Sequence, residues 1–125
     1  MLPNRRNYFR FDVPMKVTMD NEKIGKASLT GTTKNLSRSG LCFETDNTDI
    51  QPNDRIELNI EIPDNKASYP LLVDVMWKQQ VNDRYLTGVK IVSMDSEAKS
   101  EVLDYAYDMW LNNVRSRRVA DMATL

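Results

Sequence analysis

Arg55-Ile56-Glu57-Leu58-Asn59-Ile60-Glu61-Ile62 alternates polar and apolar residues without a break. Successive side chains of a strand point to opposite faces, so a strand gathers these four apolar residues onto one dry face and leaves the other wet. A helix would scatter them around its circumference. Such a strand supplies half a core and two rows of unpaired backbone groups, so it needs partners. The rest of the chain offers them. Residues 11–19 carry apolar side chains at odd positions, with Pro14 on the outward side, as an edge or bulged strand would. Residues 26–34, rich in Ser and Thr, read as a strand with one wet face, and 41–45, 69–80 and 84–93 complete the set. Asn82-Asp83 joins the last two; both residues tolerate positive φ. Six strands in about ninety residues predict a small antiparallel barrel or sandwich.

After Ser93 the period changes. Asp95 or Ser96 can cap a helix, with Glu97 in its first turn, and the pattern predicts a helix over 95–118. Ala98, Val102, Tyr105, Ala106, Met109 and Trp110 recur at three-four spacing, continued by Asn113, and should pack across the barrel end. Leu103, Tyr107, Leu111 and Val114 widen the stripe. They would stay partly wet in a monomer, which suggests a second copy or an effector protein against this helix. Arg115, Arg117 and Arg118 fall near the expected C-terminus, where cations are stabilised. The chain thus divides into an arm (1–10), a strand-rich body (11–94), a helix (95–118) and a tail (119–125).

Composition narrows the function. At 125 residues the chain fits one domain. It has no histidine and a single cysteine, Cys42, so the commonest general base, the commonest metal ligand and any Cys/His dyad are missing. Catalysis and a resident metal or cofactor are not expected. Seventeen basic residues against eighteen acidic ones give a net charge of −1, which argues against general nucleic-acid binding. No apolar run is long enough for a membrane span. One cysteine allows no intrachain disulfide and fits a cytoplasmic compartment, although the sequence could be a soluble piece of a larger protein.

Any phosphate site must therefore be local, built from clustered arginines. The arm provides them: Arg5-Arg6-Asn7-Tyr8-Phe9-Arg10. By itself it could be a solvated charge run or a patch for an acidic lipid or protein. One hairpin's length later comes Asn35-Leu36-Ser37-Arg38-Ser39-Gly40, whose Asn, Ser and Gly would suit a plain turn. Cys42 reads as a small buried residue, and Trp77 and Trp110 read as core or interface.

Taken in order, RRxxxR followed by NxSxxG resembles the PilZ family, and Val75-Met76-Trp77-Lys78 and Gly88-Val89-Lys90-Ile91 are similar to its last two strands. The resemblance covers about residues 4–94 and implies a mainly β fold, a six-stranded antiparallel barrel with an added C-terminal helix. It also implies a receptor for the bacterial second messenger cyclic di-GMP. Guanidinium forks match phosphate oxygens or guanine O6 and N7, and their flat faces stack on bases. Arg6 and Arg10 would grip phosphate and the guanine edge, while Asn35, Ser37 and Gly40 would form a floor under a guanine. Arg5, preceding the pair, is associated in the family with an intercalated ligand dimer. Ligand would order the arm and change a surface read by a partner. The alternatives are a PilZ-like protein-interaction scaffold, or the regulatory domain of a larger protein such as a polysaccharide synthase.

Overall fold

The alternation of residues 55–62 becomes a strand with Leu58 and Ile60 almost wholly buried and Glu57 at the surface. Full burial of one such aliphatic side chain contributes about 1.5–3 kcal/mol. The computed structural model describes residues 9–19, 28–46 and 49–123, with side chains as far as 116. Six strands, β1 (Lys16–Met19), β2 (Leu29–Leu36), β3 (Gly40–Thr45), β4 (Arg55–Glu61), β5 (Ser68–Val81) and β6 (Arg84–Met94), precede one helix, α1 (Ser96–Ala123). The strands run in the order β1-β2-β3-β6-β5-β4 and close into a barrel, with β1 also pairing with β4 through Lys16↔Glu61 and Val17↔Ile60. Every pairing is antiparallel. The interior holds Val13, Met15, Val17, Phe43, Leu58, Ile60, Val73 and Val75.

Residues 11–19 bury their odd positions as the pattern predicts, yet the ladder begins only at Lys16. Pro14 has no N–H to contribute, and a side chain takes over part of the pairing. Thr33 Oγ1 accepts the Met15 N–H at 2.8 Å and donates to the Val13 carbonyl at 2.7 Å. Further back, Phe11 and Leu36 exchange two backbone hydrogen bonds of 2.8 and 3.0 Å. The N-terminal segment is thus tied along β2 without becoming a strand for most of its length.

Other boundaries move as well. β2 starts at Leu29 and continues through Asn35 and Leu36, which shortens the expected 35–40 turn to residues 37–39. Asp95 is the helix cap: its carboxylate accepts the Ala98 N–H at 3.0 Å. Asn82 takes the left-handed conformation (φ 57°) in the tight β5–β6 connection. The helix runs to Ala123, past the expected end at 118, because no Gly or Pro in residues 119–123 stops it. Arg115, Arg117 and Arg118 therefore lie inside the helix, and its last turn has no basic residue.

The first half of α1 closes one mouth of the barrel. Ala98, Val102 and Ala106 are buried against the core, with Leu103, Tyr105, Met109 and Trp110 partly buried beside them. Among the described residues no helix is long and apolar enough to cross a membrane.

Candidate functional site

Two irregularities in the sheet aim the side chains of the site. In β2 the register slips between Thr33, opposite Phe43, and Asn35, opposite Cys42. A regular strand would send Thr33 and Asn35 to the same face. The extra residue, Lys34, lets Thr33 point into the core while Asn35 faces outward. In β5 a second slip sets Val75 opposite Val89 but Trp77 opposite Gly88. Met76 is the extra residue, so Met76 and Trp77 are both exposed, at 57% and 42%. Bulges of this kind re-aim side chains and are over-represented next to functional sites.

One row on the outer wall then reads Asn35, Cys42, Gly88, Trp77 across β2, β3, β6 and β5. Gly88 is required by the last member. A Cβ there would stand 2.2 Å from the Trp77 indole, so the ring lies directly against β6. Gly40, at the start of β3, is held close to the same strand: its Cβ would meet the Val89 carbonyl oxygen at 2.3 Å. That approach of two backbones explains the glycine before any ligand is considered.

Arg10 joins this wall from the N-terminal segment. Its Nη1 donates to Asn35 Oδ1 at 2.8 Å, so the last arginine of the first motif and the first residue of the second meet directly. Arg10, Ser39, Gly40, Leu41, Met76, Trp77, Gly88, Val89 and Lys90 line an open pocket of about 230 Å³. It offers a guanidinium and an ammonium, an exposed indole and a hydroxyl. Beside it Asp74 receives two hydrogen bonds from Arg55, at 2.8 and 3.1 Å. That bonding holds the Asp74 carboxyl below its ordinary value, with the charges of Arg55 and Lys90 pulling the same way against desolvation.

Cys42 sits in the floor of the row. Leu41 and Phe43 point inward, so the pleat turns Cys42 outward, yet it is only 5% exposed. Burial pushes its thiol pKa up, while Arg10 and Lys34 pull it back. The thiol is therefore neutral and covered, as a small packing residue should be.

Ser37 has a different place from the one its motif suggests. It is buried, its N–H donates to the Gly40 carbonyl at 2.8 Å, and its Oγ lies 3.3 Å from Ser39 Oγ and accepts the Ser39 N–H at 3.3 Å. It holds the corner in shape. Arg5 and Arg6 lie outside the described residues. In the sequence, residues 76, 88 and 90 read only as strand markers, and Trp77 as core or interface. The alternation of Leu71, Val73 and Val75 calls for a polar residue at 76, and the apolar Met76 found there was the available signal of a bulge. Among the described residues no cluster of three or more His, Cys, Asp or Glu side chains could hold a metal ion.

The PilZ domain family model matches residues 4–108. No curated protein sequence matches. Several solved structures share the fold. The PilZ domain of Escherichia coli YcgR, solved with c-di-GMP, superposes with a TM-score of 0.71 at 11% identity, covering 92% of this chain and 98% of that one. The MrkH–c-di-GMP complex of K. pneumonia gives 0.74 at 12% identity, covering 92% and 56%. The Bacillus subtilis inhibitor of motility MotI/DgrA gives 0.73 at 18% identity, covering 87% and 52%. The chain thus spans about half the length of MotI and MrkH and nearly all of the isolated YcgR domain.

Proposed function

From the premise that this chain belongs to the PilZ domain family, we propose that it is a receptor for cyclic di-GMP and that the pocket beside Arg10 is where the ligand lands. The observation that carries the reading is the Arg10–Asn35 hydrogen bond, which brings the two halves of the motif pair to one wall of the barrel. Arg10 and Lys90 supply positive charge for phosphate, the Arg10 fork suits phosphate oxygens or the guanine edge, and the Trp77 indole offers a face for a base. Arg5 and Arg6 are assigned to the same ligand by their place in the first motif, with Arg5 favouring two intercalated nucleotides per domain. Asn35 and Gly40 contribute directly to the wall, and Ser37 contributes by fixing its corner.

Binding in this reading needs no cofactor and performs no chemistry. Its drive is the contact the arm gains only when ligand is present, which makes the arm an order–disorder switch read by an effector protein or a second copy at α1. We place it in the cytoplasm, where a second messenger is met.

Calorimetric titration with cyclic di-GMP, cyclic di-AMP and GTP tests the ligand. Saturable heat with the first alone, at one or two nucleotides per chain, is expected. Equal heats from all three, or none from the first, would overturn the assignment.

A further inference from the structure

The residues flanking Arg10 face elsewhere. Phe9 and Phe11 pack against each other with their ring centroids 5.0 Å apart, and both turn toward α1. Phe9 meets Trp110 edge-on at 5.2 Å, and Phe11 meets Trp110 at 6.2 Å and Tyr107 at 6.3 Å. Tyr107 and Trp110 complete the cluster at 6.0 Å. All of these separations fall within the range where aromatic pairs attract. Three consecutive residues therefore divide their attachments: Arg10 goes to Asn35 on the barrel wall, and its two neighbours go to the helix.

The helix has no need of this cluster to close the barrel, since Ala98, Val102 and Ala106 already pack into the core. Phe9 is 59% exposed and Tyr107 is 48% exposed. Phe9 and Tyr107, held in the open against the half-buried Phe11 and Trp110, bury little area, so their contacts do more to fix position than to stabilise the fold. Next to them a hollow of about 280 Å³, bordered by Phe9, Phe11, Arg38, Leu103, Asp104 and Tyr107, gives the rings space to shift without entering the core.

We propose that α1 is part of the receptor's binding apparatus: Trp110 and Tyr107, acting through Phe9 and Phe11, position Arg10, and ligand held by Arg10 in turn restrains the helix. The inference rests on the cyclic di-GMP reading for its ligand. Phe9, Phe11, Tyr107 and Trp110 are positioning residues, because none of them lines the pocket that Arg10 shares with Trp77. Linkage requires the effect to be reciprocal: whatever the helix adds to ligand affinity, ligand adds to helix docking.

The test uses the full chain with Phe9→Ala, Trp110→Ala and the double variant, titrated with cyclic di-GMP by calorimetry. Phe9→Ala removes an exposed ring and should leave the fold intact, which keeps the test valid even if Trp110→Ala folds poorly. Each single variant should weaken binding by about three- to tenfold, the range of an aromatic pair, and the double variant should be no weaker than the worse single. Trp110→Phe should restore most of the loss. In ligand-free protein, the Arg10 Nε–Hε resonance should shift in Phe9→Ala, a change that loss of stability alone does not cause. Ligand should slow amide exchange over residues 103–110 in the wild type and much less in Phe9→Ala. Wild-type affinity in Phe9→Ala with an unmoved Arg10 resonance would overturn the inference and leave the ligand assignment standing. Absence of wild-type binding would instead remove the ligand assignment and, with it, this inference.

Discussion

Gly40 enters the pocket from inside a ladder, pinned between Ser37 and Lys90 and too close to the Val89 carbonyl to carry a Cβ. Arg10 reaches the same pocket from a segment outside any strand, held by the two Phe11–Leu36 hydrogen bonds and by aromatic neighbours. One half of the site cannot change without disturbing the barrel. The other can. A receptor profits from this division, because the fixed half preserves a shape for the ligand and the loosely tethered half supplies contacts that depend on it.

Four substitutions probe the contrast. Gly40→Ala should do the most damage, since its added carbon has only backbone to displace. A loss of about 3 kcal/mol or more is expected, seen as a melting temperature lower by about 10 °C. A thermal scan matching the wild type would show that the corner yields as readily as the segment around Arg10. Arg10→Ala should lower cyclic di-GMP affinity by about thirtyfold or more while moving the melting temperature by only about 2 °C. Arg10→Lys should recover little of the binding, because the charge returns without the fork. Equal losses of binding and stability would erase the distinction between the two halves.

Asp74→Asn should have the smallest effect and shows what the rigid half does not depend on. Arg55 is largely open to solvent and Asp74 partly so, and at such a surface pair screening leaves little net stabilisation. Its pH signature has a definite sign. The carboxyl is held below its ordinary value in the folded state, so its contribution is present above the ordinary carboxylate range and is lost as pH falls through the lowered value. Wild type and variant should therefore differ slightly at neutral pH and low salt, and converge in acid or at high salt. A large, salt-insensitive difference in denaturant midpoint would mean that surface charge, rather than packing and backbone, holds the wall.

Much of this architecture was legible in the sequence, for reasons that particular residues make plain. Strict alternation at 55–62 and the odd-position pattern of 11–19 survived because burial enforces period two wherever one face is dry. That Arg10 and Asn35 belong to one site was implied by the resemblance to the PilZ family, not by the residues alone. The bulge at Lys34 was not legible, because a bulge is a relation between two strands and neither strand contains it alone. The one at Met76 left an apolar residue where alternation asks for a polar one, a mark Leu72 also carries, and it says nothing about the register of the strand opposite. For the same reason Trp77 read as core or interface, although it lines the pocket on the outer wall. Gly40 was expected to permit a tight backbone and to keep a Cβ out of the ligand's way; the structure shows the tight backbone, since the nearest atom it spares belongs to β6. The helix passes the expected end at 118 because arginines near a C-terminus suit a helix end without imposing one, and residues 119–123 hold no Gly or Pro to do so.

Where Lys16–Thr18 meets Asn59–Glu61 the ring is closed, so along that stretch neither β1 nor β4 presents the free row of amides and carbonyls by which many sheets recruit an extra strand. In the proposed reading, a protein that responds to this domain meets side-chain relief and charge along that stretch, and it reads the ligand from the N-terminal segment and the long helix, which lie outside the hoop.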